Sequence, residues 1–233
     1  MTSTFLLEIT VETVDAALAA ERGGADRIEL CADLCTGGLT PTSEVMRNAR
    51  GALRLPIFAM IRPRDGDFVY TDEEFAIMKS QITTAHNLGM DGIVLGMLHQ
   101  DKTVDVHRLK KLVDFARPLP LTFHRAFDDT PDQFRALEDI ISAGAARILT
   151  SGGAIRAPGA LETLARLVQS AGPRVIIVPG SGIHAENFAV VRNVTNAREF
   201  HAGLGSVIPY GCNDFARFEA AVRDIAGHKS RLS

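Results

Sequence analysis

The chain has 233 residues, 46% hydrophobic and 23% charged, with a formal net charge of -3 at pH 7. That balance describes a globular protein able to bury a large core, and it excludes a disordered chain. It gives nucleic acid no electrostatic footing as a partner, and no apolar run nears the roughly 18 residues that a membrane helix needs.

The N-terminal residues 1–5 lead directly into a strand pattern. They lack the basic and apolar stretches of a secretory signal, so the expected location is the cytoplasm. Three cysteines make no disulfide framework, which fits reduced thiols. Short apolar runs then recur at residues 5–9, 27–31, 57–61, 92–97, 121–124, 147–150, 174–178 and 198–201. Helical spacing fills the intervals. After the first run, Val14, Ala17 and Leu18 precede Gly23-Gly24. Across residues 72–89, Phe75, Met78, Ile82, Ala85 and Leu88 keep a three-to-four spacing before Gly89. Phe134, Leu137, Ile140 and Ile141 share a face over 132–144, and Phe215, Phe218, Val222 and Ile225 do so over 213–227. Eight alternating strand and helix units predict parallel strands with right-handed crossovers, closed as an α/β (β/α)8 TIM barrel. One domain over residues 1–233 is expected, because no linker or low-complexity tract divides the chain. No Gly-x-Gly-x-x-Gly follows the first run, and neither Gly-x-Ser-x-Gly nor His-Glu-x-x-His occurs.

In such a barrel the side chains at the C-terminal strand ends converge on one mouth. Here they are Glu8, Glu29, Cys31, Arg62, Arg64, His124, Arg125, Asp128, Ser151 and His201. Glu8 and Glu29 come from neighbouring strands, and two carboxylates in one lumen repel unless a cation intervenes. Arg62 is the expected cation. Glu8, Glu29 and His124 are the expected acid-base groups, with Asp128 orienting His124 or Arg125. The N-terminal cap of the fifth helix is expected at Thr130, ahead of Pro131. Arg62, Arg64, Arg125 and His201 would hold an anionic group, aided by the loops carrying Ser151-Gly152 and Gly180-Ser181-Gly182, where backbone N–H groups can cradle an anion. Each feature has a plainer reading: a self-satisfied Glu–Arg–Glu network, a histidine that is only a wall residue, and glycines that only turn the chain. Cys31 and Cys35 make a Cys-x3-Cys that soft Cu(I) could use, though nothing in that spacing brings the two sulfurs together.

Several longer motifs resemble the CutC family: Arg27-Ile28-Glu29-Leu30-Cys31, Gly37-Gly38-Leu39-Thr40-Pro41, Met60-Ile61-Arg62-Pro63-Arg64, Gly66-Asp67-Phe68, Thr122-Phe123-His124-Arg125-Ala126-Phe127-Asp128, Arg147-Ile148-Leu149-Thr150-Ser151-Gly152-Gly153 and Phe200-His201. The resemblance implies a cytoplasmic TIM barrel, a homodimer, and a role in copper homeostasis through Cu(I) binding or trafficking. Cys31 and Cys35 are then the thiol ligands, and no organic cofactor and no particular reaction is implied. Two segments depart from the family pattern. Asp65 stands where a glycine is expected, which would stiffen its loop, and Ala202-Gly203-Leu204-Gly205-Ser206 replaces a His-x-Ser pattern. Two functions remain open: a copper protein using Cys31 and Cys35 with His124 or His201 as a further ligand, or an enzyme on a small phosphate- or carboxylate-bearing metabolite. Strand-end Glu, Arg and His favour the second; the resemblance favours the first.

Overall fold

A computed structural model describes residues 5–205 and 208–229. Residues 1–4 and Ser206, on which two of the expectations above fall, lie outside them. Eight strands alternate with eight helices: β1 Leu6–Val11, α1 Val14–Gly23, β2 Arg27–Leu30, α2 Ser43–Ala52, β3 Ile57–Met60, α3 Asp72–Asn87, β4 Gly92–Leu95, α4 Val106–Ala116, β5 Leu121–Phe123, α5 Gln133–Ala143, β6 Arg147–Thr150, α6 Leu161–Ala171, β7 Ile176–Pro179, α7 Ala185–Thr195, β8 Glu199–Ala202 and α8 Phe215–Ala226. Every ladder is parallel, in the order β7-β6-β5-β4-β3-β2-β1-β8. The end strands β7 and β8 lie against each other. The result is the (β/α)8 barrel that the alternation predicts.

Local chemistry sets the element ends. Thr13 caps α1 by accepting the Ala16 N–H, and Gly24 ends it at φ 95°. Thr71 and Glu74 form a reciprocal capping box on α3. The α5 cap is Asp132, which accepts the Phe134 and Arg135 N–H groups, and not Thr130. Asp132 wins because its short carboxylate lies one residue before the helix and serves two orphan donors. β7 starts two residues later than the apolar run indicates. Arg174 is drawn outward to Glu138 and to the Ser170 carbonyl of α6, at 2.6 and 2.7 Å.

The strands divide two interiors. Outward residues such as Leu7, Ile9, Ile28, Leu30, Ile57 and Phe123 join the helices in the main core. Inside the barrel, Phe58, Met60, Val94 and Cys31 form a smaller apolar cluster. Gly92 makes room for it, because a Cβ there would meet the Phe58 ring at 2.6 Å. Among the described residues, no helix is long and apolar enough to cross a membrane.

Candidate functional site

Strand register places the first polar row. His201 on β8 stands opposite Glu8 on β1, and Glu8 opposite Arg27 on β2. All three are buried. Glu8 Oε2 accepts from Arg27 Nε, and Glu8 Oε1 lies 2.8 Å from His201 Nδ1. Arg27 and Arg147 both donate to Glu199, at 2.5 and 3.2 Å, and both guanidinium groups lie over the Phe58 ring. Burying these charges is tolerable only because each is paired or stacked. Burial by itself would raise the Glu8 carboxyl, but Arg27 and His201 outweigh it and lower its pKa to about 2.

Glu29 stands one row higher, with Thr10 as its register partner on β1. It is 3% exposed, and its Oε1 has no hydrogen-bond partner among the described residues. Its Oε2 lies 3.7 Å from His201 Nε2 and accepts weakly from the Cys31 thiol at 3.6 Å. Burial raises the Glu29 carboxyl; His201 pulls it back and Glu8 pushes it further up. The His201 imidazolium is opposed by burial, yet the Glu29 charge and the hydrogen bond to Glu8 prevail and raise its pKa. His201 is thus an imidazole held by one carboxylate and facing another, an arrangement able to pass a proton.

Above these groups opens a cavity of about 480 Å³, walled by Glu29, His201, His124, Met60 and Leu149 and by the loops that follow β2, β3 and β5 through β8. Arg125, Arg156, Ser181 and Gly182 lie on its rim. Gly182 has to be glycine: its φ is +69°, and a Cβ there would strike the Arg156 stem at 2.7 Å.

Comparison with known proteins decides the family. The CutC family model matches residues 5–206. The chain belongs to the CutC family. It is 43% identical over 202 residues to the human copper homeostasis protein cutC homolog, covering 87% of this chain and 74% of that one. A CutC family protein of Vibrio cholerae is 44% identical over 207 residues, covering 88% and 82%. A CutC crystal structure from Streptococcus agalactiae superposes with a TM-score of 0.81 at 32% identity, over 85% of this chain and 98% of that one.

This CutC barrel gathers some of the expected site residues and disperses others. Glu8, Glu29 and His201 meet, and His124 shares the cavity wall with the last two. Arg62 is not the cation between the glutamates. Its Nη1 donates to the Thr36 and Gly38 carbonyls at 3.0 and 3.1 Å and its Nη2 to the Gly66 carbonyl at 2.9 Å, so it staples the β2 and β3 loops together. His201 lies between the two glutamates, with Nδ1 2.8 Å from Glu8 and Nε2 3.7 Å from Glu29, and Arg27, set directly beside Glu8 by the β1–β2 register, pairs with Glu8 and Glu199. Arg64 turns outward to Glu74 and Asp67, at 2.6 and 2.9 Å. Of its two expected partners Asp128 meets Arg125, at 2.9 Å, and not His124. It accepts from Thr150 Oγ1, Ser151 N and Oγ, Gly153 N and Arg125, which fastens the β6 loop to the β5 loop. Ser151 is spent on that clamp. Gly152 lies against Ala160 and Leu164, and Gly180 makes room for Leu149 and His201. Asp65 does not have a positive φ; Gly66 takes the left-handed turn at φ +80°, so the Asp65 departure carries no strain.

The cysteines separate by environment. Cys31 is buried and Cys35 is exposed. Burial, then Glu29, raises the Cys31 thiol well above its ordinary value. Among the described residues, the three metal-type donors that come within 4.8 Å of one another are those of Glu8, Glu29 and His201. Oxygen and imidazole donors suit borderline or hard ions, whereas Cu(I) prefers thiolate. The residues present do not fit a resident Cu(I) site. The sequence reading missed Arg27, Arg147, Glu199 and Arg156. Strict alternation along 27-29-31 places Arg27 on the same face as Glu29 and Cys31, so that signal was available. Arg156 follows a loop, where no period reports direction.

Proposed function

We propose that this CutC protein is an enzyme that moves a proton on a small anionic metabolite in the barrel mouth. The observation that carries the reading is Glu29: a buried carboxyl with one oxygen unpartnered, in the wall of a cavity with arginines on its rim. An orphaned buried acceptor costs about 1–3 kcal/mol, and a ligand in the cavity that donates to it would recover that cost. Glu29 is the proton-transfer group. His201, held by Glu8, exchanges protons with it, and Arg125 and Arg156 attract the phosphate or carboxylate of the substrate. A thermal-shift screen of small phosphate- and carboxylate-bearing metabolites tests the site. The expected result is stabilisation by at least one of them, with the apparent affinity lowered tenfold or more in R156A. If none stabilises the protein, the reading is wrong.

The names of the relatives favour a second reading, Cu(I) binding or trafficking through Cys31 and Cys35. The raised Cys31 thiol and the exposed Cys35 weigh against it. In anaerobic Cu(I) titration against a competing chelator, wild type and the C31S/C35S variant should bind equally weakly. One tightly held equivalent that the variant loses would establish the copper reading instead. A cytoplasmic homodimer belongs to the same proposal, supported by the free thiols and by the family resemblance; light scattering checks the mass.

A further inference from the structure

His124 directly follows β5 and begins a short 3-10 turn, Arg125–Asp129. Its Nδ1 accepts a hydrogen bond from the Ala126 N–H at 3.2 Å. A ring nitrogen can accept only where it carries no proton, so the neutral ring must carry its proton on Nε2. Packing holds that orientation. The Phe68 ring lies 4.8 Å away, and a Cβ at Gly96 would fall 2.5 Å from Nδ1. Turning the ring over would set a C–H against the Ala126 N–H. The residue is 4% exposed and forms part of the cavity wall, and its Nε2 is buried with no partner among the described residues. Burial first, then Arg62 and Arg125, disfavour the imidazolium and lower the pKa to about 3. With Nδ1 occupied by the Ala126 N–H, the ring atom left for a ligand is Nε2, which donates.

We propose that His124 is a hydrogen-bond donor through Nε2–H, and that the substrate is a carbonyl-bearing anion whose oxygen rests on it. This builds on the reading of the mouth as a proton-transfer site and names the substrate class. The Glu29 carboxylate removes a proton from the carbon beside the carbonyl. The C–H bonding pair becomes the C=C bond, and the carbonyl π pair moves onto oxygen. His124 holds that oxyanion by Nε2–H without surrendering its proton, as a neutral imidazole does where charge develops on a substrate oxygen. Glu29 then returns the proton to carbon. Nothing is oxidised or reduced.

Long-range proton–nitrogen NMR of 15N-histidine-labelled wild-type protein, from pH 5 to 8, tests it. Loss of one ring's signals in H124Q assigns them; should that variant not fold, coupling across the Ala126 N–H···Nδ1 bond assigns them in wild type. The expected spectrum is the Nε2–H tautomer alone, unchanged across the range, with the Nε2–H proton moving when oxalate, a planar mimic of the enolate, is added. An Nδ1–H tautomer, a ring that titrates between pH 5 and 8, or an Nε2–H that ignores saturating oxalate overturns the proposal. A mouth that transfers no proton at all would still leave the tautomer as described, so the two readings fail separately.

Discussion

At Glu8, a carboxylate with almost no solvent contact is kept ionised by Arg27 and His201. Its pKa in the folded chain, about 2, lies below the ordinary value of 4.5. A depressed carboxylate contributes stability that is present above pH 4.5 and lost as pH falls toward 2, on the order of 3 kcal/mol. Urea unfolding of wild type should therefore weaken steeply in that window. E8Q should be flatter there and, at pH 7, less stable by roughly 3 kcal/mol, because Arg27 loses a buried partner. Equal slopes for the two proteins would refute this account of Glu8. The sequence made Glu8 and Glu29 visible as strand-end acids, and alternation set Glu29 and Cys31 on one face. It could not show which arginine answers Glu8. Arg62 stands at a strand end and Arg27 at a strand start, and only the register of β1 against β2 decides between them.

Elements were legible where periodicity was strong and less so at their edges. The helix expected over 72–89 forms as α3, Asp72–Asn87, and the one over 213–227 as α8, Phe215–Ala226. β7 and β5 shift or shorten because side chains near their ends find local partners, Arg174 on α6 and His124 on its own turn. Such bonds follow from the three-dimensional path and leave no period in the sequence. Asp128 shows the same limit. Four residues after His124 it resembles an orienter of that ring, yet it holds Arg125 and fastens the loop after β6 through Thr150, Ser151 and Gly153. D128A should leave several buried donors unpaired and destabilise the protein by about 2–4 kcal/mol. Hydrogen exchange should quicken most at the Ser151 and Gly153 amides. Unchanged protection there would show that the clamp is dispensable.

For the whole molecule, the barrel was readable from eight repeats, and closure brings β8, β1 and β2 side by side so that residues 193 positions apart, Glu8 and His201, share a hydrogen bond. The same closure sets an ionic layer beneath the cavity and brings His201 to Glu29 at its floor, while the two cysteines fall into different environments. The proposed acid-base work on an anion rests on this arrangement, whose donors suit a soft metal less well. The most direct test is deuterium incorporation. Wild type, E29Q and C31S/C35S are incubated in heavy water with a panel of small carbonyl-bearing phosphates and carboxylates, and mass spectrometry reads the exchange. The account predicts carbon-bound deuterium in at least one compound with wild type and with C31S/C35S, and a loss of a hundredfold or more with E29Q. Exchange by E29Q equal to wild type, or none by any of the three proteins, would contradict it.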